Sequence, residues 1–525
     1  MDNLANHGSG DGRYKRAASE NYLTTTNLTI KKMAWTAIFI MLFIQTNSVF
    51  GQGLTIENEG TKLAYVAHNG KPLFAFGVQL EYMMVFPHEN YDYPVWSEWA
   101  EKHGMNFCRT RVIQPIITNA YLPYKSVGEG KYDLTQFDPD FWQRFRNACV
   151  NLQQHGVIMH LLVFPHNMHV RVNNWGGSAF NPANNVNPEA TAHLEGDYHY
   201  KFWNSLSDNK ALWQIQKASM EKIVEATADL DNIIYDISHE FRSDCCGSEK
   251  TDWTKARKFF NAMADVIVDK YYQLEPNKKP IIGLDAEHFH KFEGQEDWNF
   301  SNPKFQLMIK GNSVESRVPT SDEVKAYREK YKKPFIIEEG SADDDEGEKI
   351  KFISIYDTDR TVIRKFVWKW MMNRTQMVDI YGPNYNSKAP DEKAIIDYDP
   401  NGQNAFEDDA LILRSFWDNL RDYPNLDVQG RIASGPGFRK MVLSSSKEAI
   451  AYMASKMGEI GTKYQSSTMD LSELALKDGV YTVEIWKPIA TGGKTKVLDQ
   501  EVRNGALTLN LPHFTDDLAV HIYAK

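Results

Sequence analysis

The sequence predicts a (β/α)8 TIM-type barrel followed by a C-terminal antiparallel β-sandwich. Three observations lead there. A chain of 525 residues exceeds what one hydrophobic core usually supports, so one large domain plus a smaller one is expected. Eight short apolar runs alternate with longer helical patterns across most of the chain, the signature of βα units around a parallel sheet. After Tyr423-Pro424 the helical pattern stops and β-type alternation takes over. Apolar residues at 42% and charged residues at 24% are ordinary for a globular chain, so no disordered or fibrous class competes.

Residues 1–51 read as a leader. Lys31-Lys32 precede the apolar stretch Ala34 to Ile44, and Val49 and Gly51 are small enough to flank a signal-peptidase cut before Gln52. A transmembrane anchor needs about 20 apolar residues, more than this run holds. The polar segment 1–30 is long for a leader, which makes Met33 an alternative start, and no cysteine after the cut suggests a lipid anchor. The chain is therefore expected to be exported to the periplasm, cell surface or medium, with no stable membrane insertion after cleavage. Cleavage removes five basic and three acidic residues and leaves a net charge of about −12, which argues against nucleic acid or an anionic membrane as partner.

Residues 52–73 carry the alternating runs Leu54-Thr-Ile and Lys62-Leu-Ala-Tyr-Val and the turn His68-Asn69-Gly70, a small β-hairpin placed to plug the barrel floor. Residues 74–425 hold the barrel. Its strands are expected at Phe74–Val78, Asn106–Val112, Val157–Phe164, Asn232–Ile237, Pro280–Leu284, Phe305–Ile309, Pro334–Ile337 and Val378–Tyr381. Helical patterns run over Pro139–Gln154, Lys210–Leu230, Trp253–Tyr272, Ser321–Lys330, Thr361–Asn373 and Asp408–Leu420. Eight strands fit a closed barrel better than a doubly wound open sheet, and no G-x-G-x-x-G or Walker sequence follows any of them. Residues 430–525 read as six strands, Met441–Ser445, Glu448–Met453, Gly479–Trp486, Lys496–Gln500, Ala506–Leu511 and Leu518–Tyr523, forming a small sandwich.

Cys108, Cys149, Cys245 and Cys246 are too few for a disulfide scaffold, although Cys245-Cys246 could close a vicinal disulfide in an oxidising compartment. His160, His166 and His169 share one strand and loop without H-E-x-x-H or a matching carboxylate, so neither a metal nor an organic cofactor is expected.

Active sites of such barrels are assembled at the C-terminal ends of the strands, which directs attention to carboxylates there. Asn232-Ile-Ile-Tyr-Asp-Ile-Ser-His-Glu240 is a buried strand with a polar tip, and Lys333-Pro-Phe-Ile-Ile-Glu338-Glu339-Gly is another. Three βα units of roughly 33 residues separate the two tips, an ordinary spacing that lets them face each other across the mouth. Glycoside hydrolysis needs such a pair, one carboxyl to protonate the leaving oxygen and one carboxylate to attack the anomeric carbon.

These runs resemble the motifs of the clan A retaining glycoside hydrolases. Asn232-Ile-Ile-Tyr-Asp-x-x-His-Glu240 is similar to their fourth-strand motif, which implies Glu240 as acid/base, and Lys333-Pro-Phe-Ile-Ile-Glu-Glu339 to their seventh-strand motif, which implies Glu339 as nucleophile. Gly104-Met-Asn-Phe-Cys-Arg109 resembles the second-strand motif whose arginine supports the nucleophile. The opening Asn69-Gly-Lys-Pro-Leu-Phe-Ala-Phe-Gly77 and the closing sandwich resemble a bacterial cellulase-like branch with a collagen-binding-type C-terminal domain. The resemblance implies a carbohydrate substrate. Where the clan has an asparagine that bonds the sugar 2-hydroxyl, this chain has His239; the sixth-strand tyrosine has no counterpart, and Tyr381 takes the place of the eighth-strand tryptophan.

Glu240 also reads as a structural carboxylate paired with Arg242 or Arg109, and Glu338 as the reacting group if the strand register shifts. Trp175 suits a sugar-stacking platform, with His166 and Asn174 as hydroxyl partners; a buried anchoring tryptophan is the plain alternative. Two other functions stay open: a non-catalytic carbohydrate-binding barrel, and surface adhesion through the sandwich, where Trp486 is the one aromatic platform candidate. The oligomeric state is not legible.

Overall fold

Eight parallel strands close the barrel of the computed structural model. It describes residues 53–79, 93–113, 122–166, 175–241, 252–285, 294–311, 319–338, 341–343, 349–352, 358–380, 406–431, 437–471 and 474–525. The predicted leader and the Cys245-Cys246 pair lie outside the described residues. In chain order the barrel strands are Ala75–Gln79, Phe107–Arg111, Ile158–Leu162, Ile233–Asp236, Ile281–Gly283, Met308–Gly311, Phe335–Glu338 and Thr375–Ile380. Neighbours pair in parallel around the ring, and a parallel bridge from Asp285 to Ile309 joins the fifth strand to the sixth. Each strand falls within about three residues of its expected place. Close approach fixes one residue: a Cβ on Gly77 would collide with the Phe107 carbonyl of the second strand.

The helices begin where capping chemistry allows. Asp138 accepts from the N–H groups of Asp140 and Phe141 ahead of Pro139–Gln154, and Asp252 does the same for Trp253–Leu274. Thr320 and Glu323 form a capping box at the start of Ser321–Tyr331.

Strand alternation then sorts the side chains. Phe107, Ile158, Ile234, Ile281, Ile309, Ile336 and Met377 form an apolar cluster in the lumen, which Leu54, Val66 and Leu73 join from below. The N-terminal piece has three antiparallel strands, Leu54–Glu57, Tyr65–His68 and Lys71–Pro72, because the chain pairs again after the turn at Asn69-Gly70. Gln376 pins it to the eighth strand, accepting from Val66 N–H (2.5 Å) and donating to the carbonyls of Val66 (2.9 Å) and Leu73 (2.8 Å).

The C-terminal part has a six-stranded antiparallel sheet in the order Asp427–Arg431, Arg439–Ser444, Glu448–Ala454, Asp517–Ala524, Gly479–Lys487, Gly493–Val502. Two short pairs complete it, Lys463–Tyr464 with Phe514–Thr515 and Ser467–Leu471 with Leu507–Leu511. The central strands Glu448–Ala454 and Asp517–Ala524 are buried on both faces. Ala449, Ala451 and Met453 face the sandwich core, whereas Ile450, Tyr452 and Ala454 belong to the cluster built around the barrel helices. Tyr452 stacks on Trp368 with centroids 5.1 Å apart, and Trp486, 3% exposed, packs edge-on against Phe416, so its ring is not a surface platform. Arg364 on the helix Arg360–Met372 holds Asp517 through Nε and Nη2 (both 2.9 Å) and Asp409 through Nη1 (2.7 Å); Tyr452 donates to Asp517 at 2.7 Å.

Two insertions rise from the C-terminal face of the barrel: the hairpin Tyr124–Gly128 with Lys131–Phe137 after the second strand, and a run of short helices from Pro182 to Asp208 after the third. Asn187 ties them together, accepting from Leu134 N–H at 2.7 Å and donating to Asp133 at 3.2 Å. Among the described residues no helix is long and apolar enough to cross a membrane.

Breaking a buried ion pair from one side leaves a desolvated charge behind. Asp517→Asn is therefore expected to lower the unfolding free energy by about 3–5 kcal/mol, read from guanidinium melts. A change under about 1 kcal/mol, the range of exposed pairs, would mean that the apolar contacts alone hold sandwich to barrel.

Candidate active site

Two residues beyond five of the apolar lumen positions the strands present charge. Arg109 follows Phe107, His160 follows Ile158, Asp236 follows Ile234, Glu338 follows Ile336 and Asp379 follows Met377; all five are 0% exposed. They form one line across the lumen. Asp236 Oδ2 lies 3.2 Å from His160 Nε2, and His160 Nδ1 lies 2.8 Å from Glu338 Oε1. On the far side Arg109 Nη1 donates to Glu338 Oε2 at 2.9 Å, and Arg109 Nε lies 2.8 Å from Asp379.

The titration of these groups follows from their order. Burial alone would raise Glu338, but Arg109 and His160 outweigh it and hold its carboxyl well below the usual range. Burial alone would lower His160, but the charges of Glu338 and Asp236 push it up to about 9. Asp236 is raised to about 6, chiefly by burial, with His160 opposing and Glu338 and Asp285 adding to the rise.

Glu240 stands above this line at the tip of the fourth strand, 6% exposed. Its φ of +54° is left-handed, a conformation that costs a non-glycine residue about 1–2 kcal/mol. Asp285, just beyond the fifth strand, holds the turn: its Oδ2 accepts the Glu240 N–H at 2.9 Å and lies 3.1 Å from His239 Nδ1. Asp236 Oδ1 accepts from the N–H groups of Ser238 and Asp285, both at 3.2 Å, locking the tips of strands four and five together. His239 is fully buried, with Nδ1 also 3.4 Å from Arg109 and 3.7 Å from Glu338.

The remaining expected residues divide. His166 is buried beside Phe241 and accepts the Trp203 indole N–H on Nδ1 at 2.9 Å, which leaves a neutral ring its proton on Nε2. Trp175 is 7% exposed and forms part of the core. Glu339, Asn174 and Tyr381 lie outside the described residues. The structure thus brings Arg109, His239 and Glu240 together. It adds His160, Asp236, Asp285, Glu338 and Asp379 to the cluster, of which the sequence reading weighed only Glu338 as a reacting group.

His160, Asp236 and Glu338, and likewise His239, Asp285 and Glu338, bring donor atoms within 4.8 Å of one another. Their arrangement is that of ion pairs. The two nitrogens of His160 face different carboxylates, and Arg109 already places a permanent cation against Glu338.

No family model matches this chain, and no curated protein does. Solved structures do. The chain is similar to a glycoside hydrolase at a TM-score of 0.55 and 12% identity over 90% of this chain and 97% of the other. It is equally similar, at TM-score 0.55 and 12% identity over 90% and 93%, to a glycoside hydrolase family 5 protein from Bacteroides vulgatus ATCC 8482. At this identity the likeness establishes the fold alone, a barrel carrying a second antiparallel region, which is the fold that the motifs imply.

Because Glu338 is depressed, its contribution to stability is present above its ordinary value of 4.5 and is lost as pH falls through its lower folded-state value. Glu338→Gln is expected to destabilise the chain by about 3–5 kcal/mol at pH 7. The gap to wild type should shrink progressively below pH 4.5, measured by denaturant melts across pH; a gap independent of pH would contradict the ion-pair account.

Proposed function

We propose that this chain is an exported glycoside hydrolase that cleaves glycosidic bonds of an extracellular oligo- or polysaccharide by retaining double displacement. Glu240 protonates the leaving oxygen, Glu339 attacks the anomeric carbon, and Glu240 then activates the water that releases the sugar. The observation that carries this reading is Glu240 itself: a carboxyl at the C-terminal tip of a barrel strand, on a strained turn held by Asp285, above a line of fixed charge. The fold shared with solved glycoside hydrolases supports it.

Glu339 is preferred to Glu338 on chemical grounds. An attacking carboxylate needs an accessible lone pair, whereas Glu338 is fully buried with one oxygen on Arg109 and the other against His160. Its role is to fix the end of the seventh strand. The signal peptide read in the leader supports a reaction outside the cytoplasm.

Glu240→Gln and Glu339→Gln are each expected to lower kcat by about 10²–10⁴-fold or more against the polysaccharide or aryl glycoside that wild type cleaves, followed as new reducing ends. Wild-type rates in both variants would remove the assignment. Tight glycan binding without turnover by wild type would establish a binding barrel instead.

A further inference from the structure

We propose that His160 is a positioning residue, held as an imidazolium between Asp236 and Glu338, whose charge together with that of Arg109 fixes the Glu338 carboxylate at the end of the seventh strand. This rests on the reading of the barrel mouth as a glycosidase site.

The argument is one of proton count. A neutral imidazole has one N–H and one lone pair. His160 presents its two nitrogens to two carboxylates, Glu338 at 2.8 Å from Nδ1 and Asp236 at 3.2 Å from Nε2. In either neutral tautomer one nitrogen lone pair would face an anionic oxygen in a site with no water access, which is repulsive at low dielectric. Above about pH 6, where Asp236 is ionised as well as Glu338, only the doubly protonated ring suits both neighbours.

The charge balance of the layer asks for the same proton. Asp236, Asp285, Glu338 and Asp379 are all fully buried, and Arg109 supplies a permanent cation to two of them, Glu338 and Asp379. Unbalanced buried charge costs several kcal/mol per ion, so a second fixed cation at His160 stabilises the set. The groups facing His160 are Asp236 from the fourth strand, Glu338 from the seventh and the Phe107 ring from the second, centroids 6.1 Å apart. Arg109 and His239 reach it through Glu338, Asp285 through Asp236, and Asp379 through Arg109. With both carboxylates ionised beside it, the ring keeps its proton to about pH 9.

A role in positioning has a mechanistic consequence. Glu338 precedes Glu339 directly, so whatever holds Glu338 against Arg109 sets where the next carboxylate sits. A misplacement on the order of 1 Å at a reacting centre costs about 10²-fold in rate. His160→Gln keeps a donor and an acceptor but no charge.

The test is nitrogen NMR of the full chain with labelled histidine, titrated from pH 5 to 10, with His160→Gln to assign the resonance among 15 histidines. The expected result is one ring with both nitrogens protonated at pH 7 that deprotonates near 9. Asp236→Asn should shift that midpoint down, which identifies the ring even where His160→Gln does not fold. Against a cleaved substrate, His160→Gln should lower kcat by about 10²-fold with KM little changed, and should lose the wild-type fall in kcat above pH 9. A single N–H on this ring at pH 7 overturns the proposal, as does an equimolar bound metal ion found by elemental analysis. Absence of turnover on every glycan would refute the glycosidase reading, while the titration would still decide the state of His160.

Discussion

Five side chains of alternating charge, Asp236, His160, Glu338, Arg109 and Asp379, cross the barrel lumen without touching water. Each would be costly alone, because a buried ion loses its hydration and repays the loss only through well-placed partners. The surrounding architecture supplies those placements. Strand register puts the five residues on one level, and the apolar lumen cluster below, sealed by Leu54, Val66 and Leu73, keeps solvent out from beneath. The functional tips of the strands rest on this level: Glu240 through Asp285 and Asp236, and the seventh strand through Glu338.

The second domain extends the same logic outward. The helix Arg360–Met372, which follows the seventh strand, buries one face on the barrel and offers Arg364, Lys365 and Trp368 to the C-terminal sheet. Lys365 donates to Ser455 and to the carbonyls of Lys456 and Glu459, and burial pulls its ammonium down to about 8. A sheet whose central strands are buried on both faces packs as part of the barrel's support, consistent with Trp486 being packed inward.

Much of this was legible in the sequence, for identifiable reasons. The eight strands announced themselves as short apolar runs because barrel strands are buried on both faces. The helical patterns Pro139–Gln154, Trp253–Tyr272 and Ser321–Lys330 are legible from their periodicity, and the structure starts each one at the cap Asp138, Asp252 or Thr320. Arg109 and Glu240 stood out by motif. The acids at 236, 285 and 379 and His160 did not, because a charge inside an apolar run has no partner until distant strands meet. Period two was the missed signal. Stepping by two from Phe107, Ile158, Ile234, Ile336 and Met377 reaches Arg109, His160, Asp236, Glu338 and Asp379 in turn, while Ile281 and Ile309 lead to glycines; the same rule selects Glu338 where motif spacing selects Glu339. Lys463–Tyr464 and Phe514–Thr515 were illegible because two residues carry no period.

The most direct test of the account is covalent trapping. The chain would be incubated with 2-fluoro glycosides bearing activated leaving groups, which slow release of a glycosyl-enzyme, and the digested protein mapped by mass spectrometry. The account predicts one sugar adduct on Glu339. An adduct on Glu338 would move the nucleophile to the lumen, and turnover of the natural glycan with inverted products and no adduct would contradict double displacement altogether.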